Sequence, residues 1–183
     1  KAGIKVICYN FMPVFDWLRS DLSYKNEDGS TSLVYRDATV LSLDPRKGDL
    51  SLPGWDSSYT KEGLDALLNE YKDVDEEKLW ENMKYFLEKI IPVCEECDVK
   101  MAIHPDDPAW SVFGLPRIII NKENIVRLMK AVDNRHNGVT FCSGSYGTNL
   151  KNDLPGMIRA LEGRIHFAHV RNLKFHTPTN FEE

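Results

Sequence analysis

The stretch Val99-Lys-Met-Ala-Ile-His-Pro-Asp-Asp-Pro108 decides the fold class. A short apolar run, Val99 to Ile103, passes directly into a histidine, two carboxylates and two prolines. A bounded run of this kind is what a buried parallel strand presents. Pro105 and Pro108 cannot donate to a ladder, so the strand must stop near His104. An imidazole and two carboxylates therefore stand at the carboxyl end of a strand, where α/β folds gather their chemistry. A single strand-end histidine is more often structural than functional, so the other strands have to decide its role.

Three more stretches have the same character. Ile4 to Asn10 reads as a strand that Pro13 forces to exit. Val139 to Cys142 follows an Asn137-Gly138 turn and ends in Ser-Gly-Ser-Tyr-Gly147, and Arg164 to Val170 leads into Arg171-Asn172. Helical periodicity fills the intervals. Leu64, Leu67, Leu68 and Tyr71 mark a short helix over 60–72. After Asp73-Val-Asp-Glu76, which has the form of a capping box, one broad face runs through Leu79, Trp80, Met83, Phe86, Leu87, Ile90, Ile91, Cys94 and Cys97. Asn121 caps a helix to about Asp133, and Asn152 or Asp153 caps another that Gly163 closes.

The strand ends His104, Cys142 and His169 are 38 and 27 positions apart, a spacing that fits successive βα units. A complete (β/α)8 barrel takes roughly 250 residues, so four strands in this chain correspond to about half of one. The expectation is an α/β fold, an incomplete segment of a (β/α)8 TIM barrel, with 1–183 as a single domain. Residues 14–58 interrupt it. Asp21–Lys25 and Ser32–Tyr35 flank an Asp28-Gly29 turn, a hairpin signal, and Arg36 to Ser58 holds no period. This excursion is a candidate lid. The closing stretch, Leu173 to Glu183, is read as completing no element.

The 183 residues carry 23 basic and 28 acidic side chains, a net charge of −5 with no Lys/Arg block, which argues against nucleic acid or an anionic membrane as the main partner. No apolar run reaches the roughly 18–20 residues that span a bilayer, and the expected compartment is the cytoplasm. Four cysteines are few for a disulfide scaffold. Cys94 and Cys97 lie on a helical apolar face without a second pair to complete a zinc site, and are read as core thiols.

Neighbouring parallel strands bring their carboxyl ends together, so His104, Cys142 and His169 converge and offer nitrogen, sulfur and nitrogen to a divalent transition ion. Asp106 and Asp107 lie past a proline, as supporting or substrate contacts. His166 should point to the opposite face from His169, and His136 and His176 are read as loop or solvent residues. Rival readings stay open. Cys142 and His169 are also the makings of a Cys/His nucleophile, with the glycines at 144 and 147 as oxyanion donors. The same Gly-rich loop is a weak phosphate-binding signal.

The sequence also resembles the D-mannonate dehydratase family. The resemblance rests on Cys-Tyr-Asn-Phe-Met-Pro at 8–13, Asp16-Trp17, Arg19, Asp21, Asp28-Gly29-Ser30, Tyr71-Lys72-Asp73 and Ile91-Pro92-Val93. Met101 to Pro108, Gly114-Leu-Pro-Arg117, Cys142 to Gly147 and His169-Val-Arg171 complete it, so that it covers nearly the whole chain. It implies a barrel of the xylose-isomerase type and a Mn2+-dependent (or Fe2+- or Mg2+-dependent) dehydration of D-mannonate to 2-keto-3-deoxy-D-gluconate. It maps metal ligands onto His104, Cys142 and His169. The family's fourth ligand, an aspartate in a later R-P-D-H motif, has no counterpart here, nor have the histidine beside it and a later tyrosine that serve proton transfer. Asn10, Arg171 and Asp106 are the candidate substrate contacts, a small sugar acid the expected ligand, and a homodimer the candidate assembly. A xylose-isomerase-like isomerase or epimerase, and a silent barrel fragment that only binds metal or sugar acid, are the competing functions.

Overall fold

The computed structural model describes residues 3–47 and 59–183. Strands β1 (Val6–Tyr9), β4 (Lys100–Ile103), β5 (Asn137–Cys142) and β6 (Ile165–His169) form one sheet in the order β1-β4-β5-β6, all parallel. Helix α3 (Glu76–Cys97) precedes β4, α4 (Lys122–Ala131) precedes β5, and α5 (Ser143–Gly147) and α6 (Leu154–Ala160) precede β6. The four strands lie in the sheet in chain order, with β2 and β3 set aside between the first two, and with helices packed on one face: this is a curled, open half of a (β/α)8 barrel.

Alternation along each strand separates the two faces. Met101, Ile103, Val139 and Phe141 enter the main core with Leu79, Met83, Leu87 and Ile91 of α3, and with Ile125, Leu128 and Met157 of the later helices. Ala102 and Thr140 face the other way, in line with His104 and Cys142. There the Thr140 hydroxyl donates to the Ala102 carbonyl and meets Cys8 Sγ at 3.1 Å. The helices start where side chains accept their first free N–H groups: Asp75 takes Lys78 N, Asn121 takes Asn124 N and Asp153 takes Gly156 N. The cap of α3 is thus Asp75, two residues beyond the start of the expected box.

The excursion is built differently from the expectation. β2 (Asp21–Lys25) and β3 (Thr31–Arg36) do pair as an antiparallel hairpin. However, β7 (Lys174–Thr177) and β8 (Asn180–Glu182) join them, giving the order β2-β3-β8-β7. The closing stretch is therefore not idle. Phe181 of β8 stacks on Tyr35 at 5.4 Å between centroids and belongs to a second core with Phe15, Leu18, Val40, Leu64 and Leu68. Helix α2 (Lys61–Glu70) supplies Leu64 and Leu68 to this core. The aperiodic stretch also contains α1 (Asp37–Leu41) and a 3-10 turn at Pro45–Lys47, while the rest of that expectation, over 48–58, lies outside the described residues.

Other sequence readings are corrected. Asn137-Gly138 is not a turn but the start of β5, with Gly138 paired to Ala102. β6 carries an extra residue at this level, because Val139 pairs with Ile165 and Thr140 with Phe167. This bulge turns His166 onto the face shared by Gly138, Thr140 and Cys142, where its ring fills the place of a side chain at 138 and Nδ1 meets the Met101 carbonyl at 2.8 Å. Gly138→Ala would set a Cβ 2.4 Å from both the Arg164 carbonyl and the His166 ring. Since the carbonyl is backbone, the strands must part, and a loss of about 1–3 kcal/mol in urea unfolding is expected. His136 lies in the turn before β5, as one of its two readings had it, but is buried there with Nδ1 2.9 Å from the Val99 carbonyl, and Cys97 is exposed while Cys94 is buried. No described helix is long and apolar enough to cross a membrane.

Candidate metal centre

His104, Cys142 and His169 follow or end β4, β5 and β6, and each offers a ligand atom within 4.8 Å of the others. Register explains the convergence: Cys142 pairs directly with His169 across β5 and β6. Cys142 Sγ lies 3.4 Å from His169 Nδ1, and the rings of His104 and His169 are 5.8 Å apart between centroids. His104 Nδ1 sits 2.8 Å from the Pro105 carbonyl, which can only accept. Nδ1 therefore donates there, which leaves Nε2 as the nitrogen available to Cys142 or to a metal. Holding one imidazole nitrogen on a carbonyl is how proteins orient a histidine ligand.

Cys142 is fully buried and caps α5, its sulfur accepting from Ser145 N at 3.4 Å and lying 3.2 Å from Ser145 Oγ. Burial works against a thiolate here. Hydrogen bonds from His104 and from the Ser145 side chain and backbone, together with the charge of Arg171, outweigh it and bring Cys142 down to about 7. Two imidazoles and a readily ionised thiol form a donor set suited to a borderline transition ion. Among the described residues this is the group of His, Cys, Asp and Glu side chains that fits a metal.

A cavity of about 200 Å3 opens on the cluster, lined by Asp16, Trp17, Leu33, His104, Asp107, His169, Arg171 and Glu183. A larger one of about 710 Å3, between α1, α2 and the 110–115 loop, contains none of His104, Cys142 and His169. Behind the smaller cavity lies a closed ring of four charges. Arg19 grips Asp107 through two nitrogens at 2.8 and 3.1 Å and Glu183 through two at 2.9 and 2.6 Å. Arg171 reaches Asp107 and Glu183 at 2.5 Å each. Arg19, Asp107 and Glu183 are almost wholly buried, so the ring ties the antiparallel sheet, through β8, to the loops after β4 and β6.

The candidate substrate contacts separate on this map. Arg171 lines the cavity, but both its terminal nitrogens are engaged by carboxylates. Asn10 stands at the rim and donates to Asp16, a lining residue, at 2.8 Å. Asp106 is absent from the lining: it is buried in its own loop, where its carboxylate accepts from Ile119 N at 2.9 Å. Its expected place is taken by Asp107. Pro105 and the non-strand backbone after it end the alternation that would have told the two aspartates apart. Arg19 and Glu183 also went unread as site residues, because their partners lie 88 and 164 positions from Arg19.

The D-mannonate dehydratase (UxuA) family model matches residues 1–183. The chain is 57% identical over 194 residues to the mannonate dehydratase of Thermotoga maritima and 53% identical over 185 residues to mannonate dehydratase 2 of Halalkalibacterium halodurans. In each case all of this chain and 54% of the relative are covered, so the chain spans about half the length of the curated relatives it matches. The crystal structure of the mannonate dehydratase from Streptococcus suis serotype 2 superposes with a TM-score of 0.87 at 45% identity, covering 100% of this chain and 49% of that one. A half-barrel with these strand ends, matched along its whole length, belongs to the D-mannonate dehydratase family.

Proposed function

We propose that this chain supplies the metal-binding half of a mannonate dehydratase, which converts D-mannonate to 2-keto-3-deoxy-D-gluconate and water. The observation that carries the proposal is the convergence of His104, Cys142 and His169 in a chain of this family. Manganese is the proposed ion, with Fe2+ the nearest alternative; a sulfur donor disfavours Mg2+, which selects oxygen. When bound, such an ion supplies Lewis acidity, which polarises substrate oxygens and acidifies the proton α to the carboxylate.

The chain's own residues prepare the cavity. The Pro105 carbonyl holds the His104 ring through Nδ1, so that Nε2 is the nitrogen left to serve the ion. Trp17 and Leu33 provide apolar wall that limits water around a small sugar acid. Arg171 and Asn10 are proposed substrate contacts of different strength. Arg171 presents its charge from the wall while its terminal nitrogens stay fixed by Asp107 and Glu183, and Asn10 offers a carboxamide at the rim. Asp106, buried on Ile119 N, has no part in this reading.

The test is incubation of the protein carrying this chain with D-mannonate and Mn2+, followed by mass spectrometry. A product lighter by one water is expected. Conversion to a sugar acid of unchanged mass would replace the dehydratase reading with an isomerase or epimerase on the same barrel mouth.

A further inference from the structure

Ser145 is wholly buried and its hydroxyl touches three groups: Asp107 Oδ2 at 2.9 Å, Cys142 Sγ at 3.2 Å and Arg171 Nη2 at 3.0 Å. A hydroxyl has one proton to give and two lone pairs. Arg171 can only donate, so it occupies one lone pair. The proton has two claimants, the carboxylate and the sulfur. Asp107 already accepts three N–H bonds, two from Arg19 and one from Arg171, and is satisfied without it. Cys142, by contrast, sits in a buried position where an ionised sulfur needs donors, and Ser145 N at 3.4 Å supplies only one from this side.

We propose that Ser145 is a positioning residue for the metal centre: its hydroxyl donates to the Cys142 sulfur, with Asp107 Oδ2 as the competing acceptor, and its oxygen is held by Arg171, whose guanidinium Asp107 fixes in turn. The inference rests on the metal reading above and adds a role for the charge ring, which fixes the donor that in turn fixes the soft ligand. Gly144 belongs to the same device. A Cβ there would stand 2.2 Å from Arg171 Nε, so a side chain at 144 would displace the guanidinium that anchors Ser145. Outer contacts of this kind orient a ligand and temper its electron donation to the ion.

Co2+ is the probe, because its complexes with thiolate show a charge-transfer absorption that reports directly on the sulfur. Wild-type protein, Ser145→Ala and Ser145→Thr are titrated with Co2+ alone, and thermal unfolding is followed on the same samples. Loss of the donor in Ser145→Ala is expected to weaken Co2+ binding by about 10–100-fold. It should also move the charge-transfer band to longer wavelength, since sulfur lone pairs no longer stabilised by a hydrogen bond give up electrons more easily. Ser145→Thr keeps the hydroxyl and should keep both the band position and the affinity. An alanine variant that folds with unchanged affinity and band overturns the proposal, and so does one that no longer folds, because the hydroxyl would then serve the fold and not the sulfur. Absence of Co2+ binding or of the thiolate band in the wild type would instead overturn the metal reading and this proposal with it.

Discussion

Asp107→Ala is expected to cost about 3 kcal/mol of folding stability at neutral pH, the lower end of the range for removing one partner from a buried ion pair. Both arginines that grip Asp107 would keep their charge, and Arg19 has no exposed surface from which to reach water. Glu183 remains as a partner to both, which keeps the loss from being larger. Urea unfolding of the variant beside the parent checks the figure, and a difference below about 1 kcal/mol would show that the ring is mechanically slack.

The same residue sets an acid limb. Burial pushes the Asp107 carboxyl up, but the charges and hydrogen bonds of Arg19 and Arg171 outweigh it and hold the group far below the usual carboxylate range. A depressed folded-state value means that the stabilisation is complete above the unfolded value, about 3.9, and is lost as pH falls from there toward the folded one. The parent should therefore lose stability below about pH 4, and Asp107→Ala should show a flatter decline over that interval.

His104→Ala should have the largest effect on metal binding. It removes one of three converging donors, and the expected loss of Mn2+ affinity exceeds the roughly 100-fold upper bound for changes behind the ligands. His104 is only part-buried and ends a strand whose ladder and core contacts are made by Lys100–Ile103, so the fold should survive. Competition against a metal-indicator dye reads the affinity, and unfolding of the same samples separates a lost ligand from a lost fold. Retention of affinity within 10-fold would remove His104 from the ligand set.

The half-barrel was legible because its information is local. Each strand is a short apolar run closed by proline, glycine or a polar loop, and each helix repeats at 3.6. Convergence of the three candidate ligands followed from parallel order alone, as Cys142 opposite His169 illustrates. What escaped the sequence depends on distant partners. β8 is three residues long and means nothing until β3, some 150 positions earlier, provides its ladder and Tyr35 its stacking face. Arg19 and Glu183 look like surface charges until the loops after β4 and β6 close on them. Asn137-Gly138 carries a turn signature, yet its glycine makes room for the His166 ring that the β6 bulge turns inward. His166 was misplaced for the same reason, since strict alternation assumes no bulge.

The central claim, that His104, Cys142 and His169 together hold a divalent ion, is tested most directly by anomalous diffraction from crystals of the protein grown with Mn2+. A single strong anomalous peak within coordination distance of His104 Nε2, Cys142 Sγ and a ring nitrogen of His169 is predicted, and it should vanish in crystals of His104→Ala. Manganese bound elsewhere with this cluster empty, or a peak of undiminished height in the variant, would contradict the account.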